Sequence, residues 1–321
     1  MIRAGMGLAW HKLSTACAVH AAATTSTFRP SAMIIDSHVH LYPPDLNRDP
    51  AAWAAAHREP HWAALCTRRR RDGRAVQSFP SAEELLREMD RAGVARAVLL
   101  GWYWERPETC AAQNRFFGVC VRAHPDRFTA FAAINPKAGH WPTLGEMHQA
   151  RDDGLIGFGE LSPHAQGYAI DDPVFQEVLT LASDWKMPVN LHVTDPAAGD
   201  YPGRVATPLA DFVALARSFP KVTFILAHWG GRLPLVDPAA RELTNVYYDT
   251  AASPLIYGPE IWAQFQAAVP EDRVLFGSDF PLNLYPRRDA EPTMTALVAE
   301  ARQAGAGEAV LQGNAARLLM H

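Results

Sequence analysis

From Met33 onward the chain repeats one plan eight times: a short run rich in Val, Ile, Leu or Phe, a polar patch, then an amphipathic helical stretch. The runs fall at about 33–40, 95–102, 128–136, 155–162, 187–195, 222–230, 246–253 and 274–281. Strands that alternate with helices build βαβ units and a parallel sheet. Eight units predict closure into a (β/α)8 barrel rather than an open doubly wound sheet, and no G-x-G-x-x-G follows the first run to favour a dinucleotide fold. A barrel needs about 250 residues before insertions, so a chain of 321 accommodates one.

The intervening stretches carry helix signals. In "PSAEELLREMDRAG", Ser81 is an N-cap, Glu84 three residues on completes a capping box, Leu85, Leu86 and Met89 share a face, and Gly93 is the stop. Asp172 before Pro173, and Thr207 before Pro208, read as caps followed by proline at the first helical position. The longest connection, 41–80, contains Trp53, Trp62 and four successive arginines, Arg68 to Arg71. At that length it reads as a lid or binding loop, while an arginine run is ordinarily a solvated patch.

Composition serves mainly to exclude. With 48% hydrophobic and 20% charged residues, the chain has the balance of a globular protein with a sizeable core. A net charge of −4 gives no reason to expect nucleic acid or a membrane surface as partner, so a small molecule is expected, bound by a single chain or a homodimer. No run of 18 or more apolar residues predicts a membrane span. Cys17, Cys66, Cys110 and Cys120 form no C-x-x-C pair and read as reduced thiols of a cytoplasmic protein. Residues 1–32 lack the uninterrupted apolar core of a secretory signal, because His11, Lys12 and His20 break it. They read as a disordered leader or as an upstream start, with the catalytic domain spanning 33–321.

Chemistry enters at the strand ends. "MIIDSHVHLYPP", residues 33–44, ends with His38 and His40 one residue apart. Strict alternation sets both on one face together with Asp36. Two imidazoles on a shared face can grip one ion, yet the pair alone fits equally well a core histidine beside a surface one. The remaining strand ends decide: "GFGELSP" offers Glu160, "VNLHVTD" His192, "ILAHWGG" His228 and "LFGSDFP" Asp279. Active sites of such barrels lie at the C-terminal ends of the strands. Parity groups Asn190 with His192, and Leu275 and Gly277 with Asp279, so an inward-facing set converges on the axis. Mixed imidazole and carboxylate donors suit a divalent ion, Zn²⁺ first, with Mn²⁺ or Mg²⁺ as alternatives, one or two in number. His164, just past the fourth run, is the one other histidine of interest, and Trp102, Tyr103, Trp104, Tyr248 and Asn283 are expected around the pocket.

"DSHVH", "GFGEL", "NLHV", "AHWGG", "LFGSDFP" and the terminal "GNAARLL" together resemble the amidohydrolase superfamily, specifically its amidohydrolase-2 branch, which also holds the aminocarboxymuconate-semialdehyde decarboxylase type. The likeness runs from Met33 to about Leu319. It implies a metal-dependent TIM barrel in which His38, His40, His192 and Asp279 are metal ligands. His228 matches either a ligand to a second ion or a free acid/base. Glu160 matches the bridging carboxylate of some hydrolases of the superfamily. No lysine ends strand 4, so a carbamate-bridged site is not expected.

The expected reaction is hydrolysis of an ester, lactone or amide by a metal-activated water, since a bound divalent ion lowers the pKa of water from about 15.7 toward about 7. Asp279 would orient that water and carry its proton to the leaving group, and His228 would help polarise the carbonyl. The alternative is non-oxidative decarboxylation of an aromatic or unsaturated acid, with His228 as acid/base and an arginine fork on the substrate carboxylate. Arg68 to Arg71, Arg204, Arg232, Arg287 and Arg288 are the candidates for that fork. A barrel that binds metal without catalysis is disfavoured by the intact ligand set, since buried carboxylates and imidazoles clustered without an ion would be costly.

Overall fold

A computed structural model describes residues 33–70, 72–283 and 293–320. Eight parallel strands lie in chain order: β1 Ile34–Val39, β2 Val94–Leu100, β3 Phe128–Ala132, β4 Gly157–Leu161, β5 Val189–Leu191, β6 Phe224–Leu226, β7 Val246–Asp249 and β8 Val274–Leu275. Each pairs with the next, as Leu99 with Ala130 and Leu191 with Leu226. The circle closes where the chain beyond β8 runs along β1. There Ser37 N donates to Phe276 O at 2.8 Å, Asp279 N to His38 O at 2.9 Å and His40 N to Phe280 O at 2.8 Å. This is the eight-stranded TIM barrel expected from the repeated plan.

Inside the barrel, Ile35, Val98, Leu100, Phe131, Ile225 and Leu275 form one apolar layer. A larger layer between sheet and helices contains Ile34, Val39, Leu99, Phe158 and Leu191. The alternating strand pattern thus sorts the two faces, with one break. β1 has an irregular register between Asp36 and Val39, so Ile35 joins the interior layer while Val39 joins the outer one. Alternation would have given Asp36 to the face of His38 and His40. Instead its Oδ1 accepts from His38 N at 3.1 Å and Ser278 N at 2.9 Å, a backbone staple across the closing seam.

The helix signals mostly hold. In the helix Ala82–Ala92, Glu84 N donates to Ser81 Oγ, Ser81 N donates back to the Glu84 carboxylate, and Gly93 closes it at φ +72°. The Asp172 carboxylate accepts from Val174 N and Phe175 N at the start of Pro173–Asp184. Thr207 is the exception. The helix begins at Leu209, and the Thr207 hydroxyl instead accepts from Thr194 N at 2.8 Å and donates to Thr194 O, tying down the loop after β5.

The connection 41–80 is structured. Three short helices follow Tyr42, α1 Pro44–Arg48, α2 Pro50–His57 and α3 Pro60–Cys66, and Trp53 of α2 and Trp62 of α3 join Tyr42 against Trp104. Ring centroids are 5.4 Å apart for Tyr42 and Trp62, and 5.6 Å for both Trp53 and Trp62 against Trp104. This aromatic layer seats the insert over the C-terminal mouth of the barrel. No helix among the described residues is long and apolar enough to cross a membrane. Cys66, Cys110 and Cys120 are buried free thiols, and residues 1–32, with Cys17, lie outside the described residues.

Candidate active site

Six side chains from five strand ends meet at the mouth. His38 and His40 face each other with their Nε2 atoms 3.2 Å apart. Glu160 Oε2 lies 3.7 Å from His40 Nε2, and Asp279 Oδ1 lies 3.5 Å from His40 Nε2 and 3.8 Å from His38 Nε2. On the other side, His192 Nδ1 is 2.9 Å and His228 Nε2 3.5 Å from Glu160 Oε1. Two groups with metal-ligand spacing result, His38–His40–Glu160 and Glu160–His192–His228, and Glu160 belongs to both.

Local sequence explains the placement. Gly159 has φ +144°, and a Cβ there would come within 2.7 Å of Asn190 Cβ and O, so only glycine lets β4 press against β5 and deliver Glu160 inward. A Cβ on Gly277 would lie 2.8 Å from His38 Cβ, so the glycine of "LFGSD" makes room for the first histidine. His228 (φ +57°) and Asp279 (φ +63°) adopt left-handed backbone, which costs a non-glycine residue about 1–2 kcal/mol. Strain of this kind collects at functional sites. It is held here by Asp279 N donating to His38 O, and by His228 N donating to Asp249 Oδ1 at 3.1 Å.

Electrostatics favour a cation at the centre. Burial alone would lower His38, but the adjoining Asp249 carboxylate outweighs it and lifts the imidazole to about 10. Burial, reinforced by His38, pushes His40 down to about 3. A leucine carbonyl, Leu100 O, accepts from His40 Nδ1 at 3.2 Å, so the His40 Nε2 lone pair faces the proton on His38. The two Nε2 atoms, 3.2 Å apart, thus face one point, which suits a cation. Burial would raise Glu160, yet His192 and His228 hold it well below the usual carboxylate range. Burial holds the Asp279 carboxyl above its ordinary value. Imidazole and carboxylate donors around a seat that needs positive charge fit a divalent ion.

The amidohydrolase family model Amidohydro_2 matches residues 35–320. The chain belongs to the amidohydrolase family. No curated protein matches it. Among solved structures it is similar to a dihydroxybenzoic acid decarboxylase from Polaromonas sp. with bound manganese and 2-nitroresorcinol, at 17% identity and TM-score 0.62 over 90% of this chain and 97% of that one. It is also similar to 4-oxalomesaconate hydratase from Rhodopseudomonas palustris, at 20% identity and TM-score 0.62 over 89% and 95%. A third likeness is to a probable 2-pyrone-4,6-dicarboxylic acid hydrolase from Acinetobacter baumannii with citric acid bound, at 13% identity and TM-score 0.59 over 89% and 98%. Identities this low speak for the shared barrel.

In this amidohydrolase His40, Glu160, His192, His228 and Asp279 line a cavity of about 290 Å³. Trp102 and Tyr103, stacked at 4.4 Å, form one wall, and Leu65, Cys66, Arg68 and Gln77 reach in from the 41–80 insert. That insert therefore forms part of the cavity wall. Arg68 is not simply solvated: its Nε donates to Leu65 O at 3.3 Å and its guanidinium lies 5.6 Å from the Tyr201 ring, also in the cavity wall. Arg232 is paired with Asp195 at 2.6 and 3.0 Å, whereas Arg71, Arg287 and Arg288 lie outside the described residues.

Four of the residues singled out in the sequence stand elsewhere. His164 pairs with Asp211 at 2.8 Å, Tyr248 is buried in the outer core, and Trp104 is packed beneath the insert. Asn283 lies along the insert, its N donating to Val76 O. One residue of the site escaped sequence reasoning. Asp249 ends β7 fully buried, with Oδ2 2.9 Å from His38 Nδ1. Its signal was the same as that of the six, a carboxylate where the apolar run of "VYYDT" gives way.

Proposed function

We propose that this amidohydrolase hydrolyses an ester, lactone or amide bond in a small planar carboxylate, with divalent ions held by His38, His40 and Asp279 on one side and by His192 and His228 on the other. Glu160 carries this reading, because its two oxygens face both histidine pairs, at 3.7 Å from His40 and 2.9 Å from His192. Zinc is the ion proposed on donor chemistry, with manganese or magnesium as substitutes. When bound, such ions polarise a carbonyl and make water more acidic.

The chain's own residues do the rest. Asp279 takes the proton of the attacking water and returns it to the leaving atom, a task suited to a carboxyl whose burial strengthens its hold on a proton. His228, with its Nδ1 directed to Ala251 O at 3.2 Å, turns Nε2 to the side of Glu160, where it would hold the ion that polarises the reacting carbonyl. The stacked Trp102–Tyr103 wall suits a flat substrate, and Arg68 offers a carboxylate its fork. The dicarboxylic acid in the name of one similar hydrolase supports that choice of substrate.

A second reading, non-oxidative decarboxylation with one ion and His228 as acid/base, is favoured by the likeness to a manganese-containing decarboxylase. Metal stoichiometry by mass spectrometry on wild type and Glu160→Gln separates the two. Two ions falling to one, with turnover of carboxylated lactones or esters, is the expected result. One ion in both proteins, with carbon dioxide released from hydroxybenzoates, would replace hydrolysis by decarboxylation.

A further inference from the structure

Asp249 touches both histidine groups without belonging to either. It is fully buried and each oxygen accepts twice: Oδ2 from His38 Nδ1 at 2.9 Å and Asn190 Nδ2 at 3.1 Å, Oδ1 from His228 N and Ala251 N, both at 3.1 Å. An ionised carboxylate has about four acceptor directions and no donor. All four are used, so Asp249 has no capacity left to ligate an ion itself.

An acceptor-only partner requires a hydrogen on His38 Nδ1. Whenever His38 binds a cation it must therefore do so through Nε2, the atom that faces His40, Glu160 and Asp279. The other oxygen of the same carboxylate secures the His228 amide inside its left-handed turn, which aims His228 at Glu160. We infer that Asp249 is the positioning residue of the centre: it commits His38 to the tautomer whose Nε2 takes the ion, and it fixes the turn that brings His228 over the shared carboxylate. This rests on the proposed metal site.

Asp249→Asn tests it with almost no change of shape. An amide has one acceptor oxygen and one donor group. With the oxygen on the side of the His228 and Ala251 amides, its NH2 meets His38 Nδ1, which must then accept, and the ring hydrogen moves to Nε2 and points into the seat. Turned over, the NH2 collides with two backbone donors. Zinc titration against a chromophoric chelator is expected to show affinity at the His38 seat reduced about 10–100-fold, the usual range when such an outer partner is lost, with the circular dichroism spectrum retained.

Wild-type protein, loaded with zinc and labelled with ¹⁵N-histidine, gives a second measurement that needs no variant to fold. A His38 ring with hydrogen on Nδ1 and metal on Nε2 supports the inference, and a ring ligating through Nδ1 overturns it. Unchanged zinc affinity in Asp249→Asn overturns it while leaving the metal site standing. Absence of zinc binding by the wild type overturns both.

Discussion

At the scale of single residues, the centre is a competition between a proton and a metal ion. His38 is lifted to about 10 against the effect of burial, by Asp249, while His40 sits near 3. Metal-free protein therefore keeps a proton on His38 at pH 7 to 9, and an ion must displace it. Zinc affinity is expected to fall about tenfold per unit as pH drops below about 10, with about one proton released from His38 per ion bound there. Calorimetry in buffers of different ionisation enthalpy reads the proton count, and an affinity flat from pH 6 to 9 would contradict it. Asp279→Asn keeps the shape and removes the proposed proton carrier, so turnover should fall by about 10²–10⁴, the usual worth of general acid–base catalysis, at a melting temperature close to wild type. Steady-state rates and a thermal melt check the pair, and retained turnover would remove Asp279 from its role.

At the scale of elements, the strand ends and the first insert carry the site. The strand ends were legible because parity and the apolar-to-polar switch are local: Glu160, His192, His228 and Asp279 could each be located from a few neighbouring residues. β1 shows the limit, since its irregular register between Asp36 and Val39 depends on pairing with β2, to which a single strand's alternation is blind. Thr207 shows it again, as its hydroxyl found a backbone partner at Thr194 across the loop rather than serving the helix beside it. The insert is held by its aromatic layer, in which Trp62 is almost fully buried at 1% exposure against Tyr42 and Trp104. Trp62→Ala should cost about 3–5 kcal/mol, as large-to-small changes at buried aromatics do. Urea unfolding measures it, and a loss under 1 kcal/mol would mean the insert is seated by something else.

At the scale of the whole molecule, the proposed centre would link ion binding to folding, because its candidate ligands come from strands at opposite sides of one barrel. An ion that binds only the native form stabilises it by about 2.7 kcal/mol at a hundredfold excess over Kd. Zinc added to chelator-treated protein is therefore expected to raise the melting temperature by a few degrees, and a melt unchanged by chelator and by zinc would show that the six residues hold no ion. What the sequence by itself determined is the repeated strand–helix plan, hence the barrel, and six candidate ligands at its mouth, because these follow from periodicity and from neighbours a few positions away. Only the tertiary structure decided that Glu160 lies between both histidine pairs, that Asp249 orients His38 across 211 residues of chain, and that Arg68 joins the cavity wall. Those outcomes depend on register, closure and the seating of the insert, which are properties of the assembled barrel and of no segment in it.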